Sequence, residues 1–182
     1  YSGLEKAAFY YKQGTTVYDM MTEPIATLDD GTVTTVPDAL EKKHFNKVFI
    51  MVGINELGNK TTPEYAEKYK ENIDTIRQLE PHAVIFIMGV MHVTKAYSDS
   101  SDVFNNVNIN DKNVSVAGFA NGIDTFYLDM NPAVTDESGG VVADYTWDGI
   151  HLKAEYYQLW VDFLKEHGLP NDMFPELEGV EA

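Results

Sequence analysis

Two stretches of the chain, Lys47-Val48-Phe49-Ile50-Met51-Val52-Gly53 and Ala83-Val84-Ile85-Phe86-Ile87-Met88-Gly89, are apolar at nearly every consecutive position. A strand with one wetted face alternates polar and apolar residues, so a run that is apolar on both faces belongs to a strand covered by helices on each side. The segment between the two runs has the pattern of the crossover such strands need. Thr62 suits the N-cap, Pro63 suits the first helical position, and Tyr65, Tyr69, Ile73, Ile76 and Leu79 recur every three or four residues until Pro81 stops the run. Residues 7–11 form another apolar run read as a strand, and Thr125-Phe126-Tyr127-Leu128 a weaker one that ends in Asp129. A closing helix is marked by Tyr156, Tyr157, Trp160, Phe163 and Leu164, with Gly168 and Pro170 ending it. Strands alternating with helices predict an α/β protein, a three-layer α/β/α sandwich around a parallel sheet. Residues 15–21, 37–44 and 101–120 are weaker helix candidates. The last of these carries Asn105, Asn106, Asn108, Asn110 and Asn113, whose amides compete for backbone hydrogen bonds.

The 182 residues suit one domain, read as residues 1–169, followed by an acidic tail over 170–182. With 13 Lys and Arg against 29 Asp and Glu, the net charge of −16 repels phosphate backbones and anionic headgroups, which argues against nucleic acid and membrane surfaces as partners. No apolar run approaches the roughly 20 residues of a membrane span. The lack of cysteine removes thiol nucleophiles and thiolate metal sites, and leaves the redox compartment open.

In a parallel sheet the functional loops follow the carboxyl ends of the strands, here after Tyr11, Val52, Val90 and Leu128. The loop Gly53-Ile54-Asn55-Glu56-Leu57-Gly58-Asn59-Lys60-Thr61 comes close to a phosphate-binding loop. Asn59, however, displaces Lys60 by one position from where a phosphate needs it, and no acidic residue ends the next strand to hold magnesium. The same loop reads differently if Gly53 permits a sharp turn and Asn55 projects an amide donor above the sheet, where it can stabilise an oxyanion. A lone loop asparagine more often bonds its own backbone. In Asp148-Gly149-Ile150-His151-Leu152, a carboxylate three residues before a histidine can fix one ring nitrogen and leave the other as a general base. Taken alone, that spacing also suits a capping aspartate beside an ordinary exposed histidine.

Gly14, in Lys12-Gln13-Gly14-Thr15-Thr16-Val17, follows the first apolar run and completes a pattern. The Gly14 segment, the Gly53-Ile54-Asn55-Glu56 segment and the Asp148-Gly149-Ile150-His151-Leu152 segment resemble, in order and strand placement, the second, third and fifth blocks of the SGNH hydrolases, the GDSL-like lipase and acylhydrolase family. Glu56 stands where that family's third block usually has aspartate. The resemblance runs from about residue 1 to about residue 168. It implies a flavodoxin-like fold and a serine esterase acting on a small acyl ester such as an acetylated carbohydrate. It also implies that His151 is the base, that Asp148 orients it, that Gly14 and Asn55 donate to the oxyanion, and that no metal or organic cofactor takes part.

The family's first block, Gly-Asp-Ser after a central strand, is absent from these residues. Ser98-Asp99-Ser100 follows the wrong strand, and Ser2 lacks both the Gly-Asp and a preceding strand. The resemblance therefore places the nucleophile and a central strand upstream of Tyr1, with a complementing N-terminal segment or partner strand filling the gap between residues 7–11 and 47–53. His92 and Trp147 are read as substrate-binding residues lining a cleft, against the plainer readings of an exposed loop histidine and of aromatic packing under the last helix. Asp129, Asp136, Glu137 and Asp144 miss the spacing of a calcium loop and read as solvated. Two competing readings are a non-catalytic binding module on the same scaffold and, more remotely, a nucleotide-binding protein.

Overall fold

The computed structural model describes residues 4 and 6–168, so Ser2 and the 170–182 tail lie outside the described residues. A two-stranded antiparallel ribbon, β1 (Ala26–Thr27) with β2 (Val33–Thr34), precedes α1 (Val36–Lys42). A parallel sheet follows, built from β3 (Lys47–Ile50), β4 (Val84–Met88) and β5 (Thr125–Leu128) in the order β3-β4-β5. These are the 47–53, 83–89 and 125–128 runs of the sequence. All five residues of β4 are buried, as a run apolar on both faces requires.

Helix α2 (Thr62–Leu79) links β3 to β4. Its N-cap is Thr61 rather than Thr62, because Thr61 and Glu64 exchange side-chain and backbone bonds in a capping box that moves the start back by one residue. Beyond β4 come α3 (Lys95–Asp99) and α4 (Asn106–Ala117); α5 (Asn131–Val134) and α6 (Tyr157–His167) follow β5. Side chains of α1, α2 and α4, among them Leu40, Tyr69 and Val116, pack with Ile50, Ile85 and Ile87 on one face of the sheet. On the other face Phe49, Phe86 and Phe126 form a stacked row across the three strands. The end of α6 reaches this side, where Lys47 Nζ donates to the Gly168 carbonyl at 3.2 Å.

Two expectations are corrected. Residues 15–21 form turns rather than a helix. Residues 7–11 make no strand: they carry no ladder, and Phe9 and Tyr11 are exposed, Tyr11 at 80%. Apolar, β-prone residues become a strand only when a neighbour takes up their backbone groups, and no described strand lies beside them. β3 is correspondingly the last described strand of the sheet on that side. Among the described residues β3 pairs with β4 alone, and Phe49 and Met51 near that edge are exposed.

Candidate active site

A cavity of about 430 Å³ opens at the carboxyl ends of β3 and β4. Tyr11, Val52 and Val90, three of the four positions after which the sequence pattern places functional loops, line it, although no strand precedes Tyr11. Gly53 and Ile54 come from the loop after β3, and Ile150, His151 and Leu152 from the segment before α6. The wall is mainly apolar, with the His151 imidazole and the Tyr11 and Tyr157 rings among its polar-tipped side chains.

Asp148 and His151 are held together by local geometry. Asp148 Oδ1 accepts the N–H groups of Ile150 and His151, both at 2.9 Å, and Oδ2 lies 2.7 Å from His151 Nδ1. Gly149 permits the turn with φ +86°, and its carbonyl accepts the Thr94 N–H at 2.8 Å, fastening the turn to the loop beyond β4. The bond from the His151 backbone, then that from its ring, hold the Asp148 carboxyl well below the usual carboxylate range. With Nδ1 held against the carboxylate, Nε2 has no bonding partner among the described residues.

The loop after β3 is equally constrained. Gly53 adopts φ +145°, and a Cβ there would lie 2.6 Å from Val90 Cγ2 and 2.8 Å from the Tyr65 hydroxyl. No other residue fits. The short 3₁₀ turn Ile54–Glu56 then sends Asn55 outward and Glu56 inward. Asn55 does not bond its own backbone: Nδ2 donates to the Thr15 carbonyl at 2.9 Å, which orients the amide and leaves one of its two N–H groups for another acceptor. Thr15 adjoins Gly14, whose φ is +81°. Gly14 and Asn55 are therefore on neighbouring loops, and Asn55 is next in the chain to a cavity-lining residue.

The two residues read as substrate-binding have different surroundings. His92 lies outside the cavity lining, with Nδ1 2.7 Å from the Gly139 carbonyl and Nε2 2.8 Å from Asn110 Oδ1, so it ties together three segments. Trp147 is also outside that lining but 81% exposed one residue before Asp148, with Lys153 Nζ 5.2 Å from its ring centroid.

Asparagines outside the predicted site hold the cavity wall. Asn113 accepts the Val90 N–H at 2.8 Å and donates to its carbonyl at 2.9 Å; Asn106 does the same for Val93 at 2.9 and 3.1 Å. Asn131 accepts the His92 N–H at 2.7 Å. These side chains replace strand neighbours for the segment beyond β4. The spacing of Asn106 and Asn113, seven residues apart on one helical face, was the signal available in the sequence. Among the described residues no group of three or more His, Asp or Glu side chains is arranged to hold a metal, and no helix is long and apolar enough to cross a membrane.

Comparison with known proteins bears on the family and the fold. A family model described as GDSL-like lipase/acylhydrolase matches residues 14–159. A Streptococcus pneumonia protein provisionally described as a platelet activating factor superposes with a TM-score of 0.66 at 20% identity, over 85% of this chain and 68% of its own. A carbohydrate esterase of family 3 from Talaromyces cellulolyticus gives 0.59 at 15%, over 84% and 66%. A GDSL-like lipase from Bacteroides thetaiotaomicron gives 0.61 at 14%, over 84% and 70%. The chain thus spans about two thirds of the length of these proteins, and at such identities they bear on the fold alone. No curated protein sequence matches it.

Proposed function

We propose that this chain, which belongs to the GDSL-like lipase/acylhydrolase family, hydrolyses a small acyl ester through a Ser-His-Asp mechanism, with an acetylated carbohydrate as substrate. The observation that carries the reading is the Asp148–His151 pair, oriented by a 2.7 Å contact at Nδ1 and placed on the rim of the cavity that the Gly53–Ile54 turn also lines.

In this reading a serine hydroxyl, carried on a strand upstream of residue 1, attacks the acyl carbonyl while His151 Nε2 takes its proton. The carbonyl π pair moves onto oxygen, and the second N–H of Asn55 with the Gly14 amide stabilises the resulting oxyanion. The imidazolium, supported by Asp148, returns its proton to the leaving alkoxide as the C–O bond breaks; water then repeats the sequence on the acyl-serine. In support of a strand between them, the sheet of described strands ends at β3 and residues 7–11 carry no ladder. The carbohydrate assignment rests on Trp147, an exposed aromatic face of the kind sugar rings stack on, and on the likeness to the Talaromyces carbohydrate esterase.

The test is hydrolysis of a short-chain nitrophenyl ester by the full-length protein and by its His151→Ala variant. The reading requires activity in the parent and its loss in the variant with melting temperature unchanged. A rate unaffected by His151→Ala rejects it.

A further inference from the structure

The loops that carry Gly14 and Asn55 are separated by some forty residues, yet two side-chain bonds join them and a third ties the Gly14 loop to α2. Asn55 Nδ2 donates to the Thr15 carbonyl at the surface. Beneath it, Glu56 Oε1 accepts the Val17 N–H, and Asn72 on α2 donates to the Val17 carbonyl at 2.6 Å. Val17 and Glu56 are fully buried and Asn72 nearly so. The backbone of Val17 is therefore satisfied by two side chains, where a helix or sheet would ordinarily do it.

A carboxylate in this position is costly, since burial pushes the Glu56 carboxyl above its ordinary range. Its Oε2 has no bonding partner among the described residues. The opposing charge is Lys112, itself buried with Nζ 4.5 Å from the Tyr65 ring centroid. An apolar side chain would fill the same space without that cost, but would leave the Val17 N–H unpaired. What the carboxylate supplies is an anchor for the second loop.

We propose that Glu56 is a positioning residue for the oxyanion site: by fixing Val17 it holds the Gly14–Thr15 backbone at the level of the Asn55 amide, so that both donors can meet one oxygen. The proposal rests on the reading of Gly14 and Asn55 as oxyanion donors. Two donors from separate loops stabilise the same oxygen only when their spacing is held to within a fraction of an ångström. The Ile54–Glu56 turn does this economically, because adjacent residues point in opposite directions: Asn55 to the rim and Glu56 to the interior.

The test uses the full-length protein with Glu56→Gln, Glu56→Ala and Asn72→Leu, read by kcat and KM on nitrophenyl acetate and by deuterium uptake of a peptide covering residues 14–18. Glu56→Gln keeps an acceptor for the Val17 amide and is expected to hold kcat within about threefold of the parent, with uptake unchanged. Glu56→Ala and Asn72→Leu are expected to lower kcat by about 10- to 100-fold at nearly constant KM and to speed exchange over residues 14–18 but not in β4. Asn72→Leu carries the test if Glu56→Ala does not fold. Because the effect acts through the oxyanion donors, adding Asn72→Leu to Asn55→Ala should cost less in kcat than Asn72→Leu does in the parent. Parent-like exchange over residues 14–18 in an active Asn72→Leu or Glu56→Ala protein overturns the positioning role, as does full loss of kcat in Glu56→Gln. An inactive parent rejects the oxyanion reading itself, a result seen before any variant is made.

Discussion

Asp148 grips His151 at two points: Oδ1 accepts the backbone N–H at 2.9 Å while Oδ2 faces ring Nδ1 at 2.7 Å. One carboxylate thus sets both the position of the histidine in the chain and the orientation of its ring. The arrangement needs no buried pocket, since the imidazole side chain is 74% exposed.

Replacing Asp148 by Asn separates these two tasks. The amide oxygen can still accept the backbone N–H groups, but at Nδ1 it no longer supplies a charge to support the imidazolium. We expect kcat for a nitrophenyl ester to fall by about 10²- to 10⁴-fold while the melting temperature changes little. A rate within about twofold of the parent would show that the pair does not act as base and orienter.

Asn55→Ala removes one oxyanion donor and its bond to the Thr15 carbonyl. The expected outcome is a fall in kcat of about 10²- to 10³-fold with a small change in KM, because the donor acts on charge that develops only in the transition state. Steady-state kinetics that show a KM effect alone would assign Asn55 to ground-state binding instead.

Trp147 is exposed beside the dyad but outside the apolar cavity, so its role divides substrates. Trp147→Ala is expected to reduce kcat/KM on an O-acetylated oligosaccharide by about tenfold, through lost stacking, and to leave nitrophenyl acetate hydrolysis nearly unchanged. Equal losses on both substrates would argue against a sugar platform.

Glu56 predicts a pH-dependent stability difference. Burial raises its carboxyl in the folded protein, against the Val17 amide and the Lys112 charge, which lower it. A group that binds its proton more tightly folded than unfolded contributes stability below its unfolded value, near 4.3, and this is lost as pH rises through the folded value. The melting temperature of the parent relative to Glu56→Gln should therefore decline as pH is raised from about 4 to about 7. Thermal melts with a constant difference across that interval would contradict the assignment.

Local chemistry made much of this protein legible from its residues. The doubly apolar runs at 47–53 and 83–89 specify buried strands, the three- and four-residue spacing from Tyr65 to Leu79 specifies a helix, and Asp148 meets His151 across a single turn. Each of these depends on neighbours within a few residues. The tertiary structure decided what depends on distant partners: that Glu56 reaches Val17 and Asn72 reaches it from the other side, and that Asn106 and Asn113 clamp the segment beyond β4. It also decided that residues 7–11, apolar enough for a strand, stay unladdered. A side-chain amide or carboxylate has the same composition wherever it bonds, and a strand is defined by the backbone beside it. Neither partner is written in the local pattern, so only the folded chain assigns them.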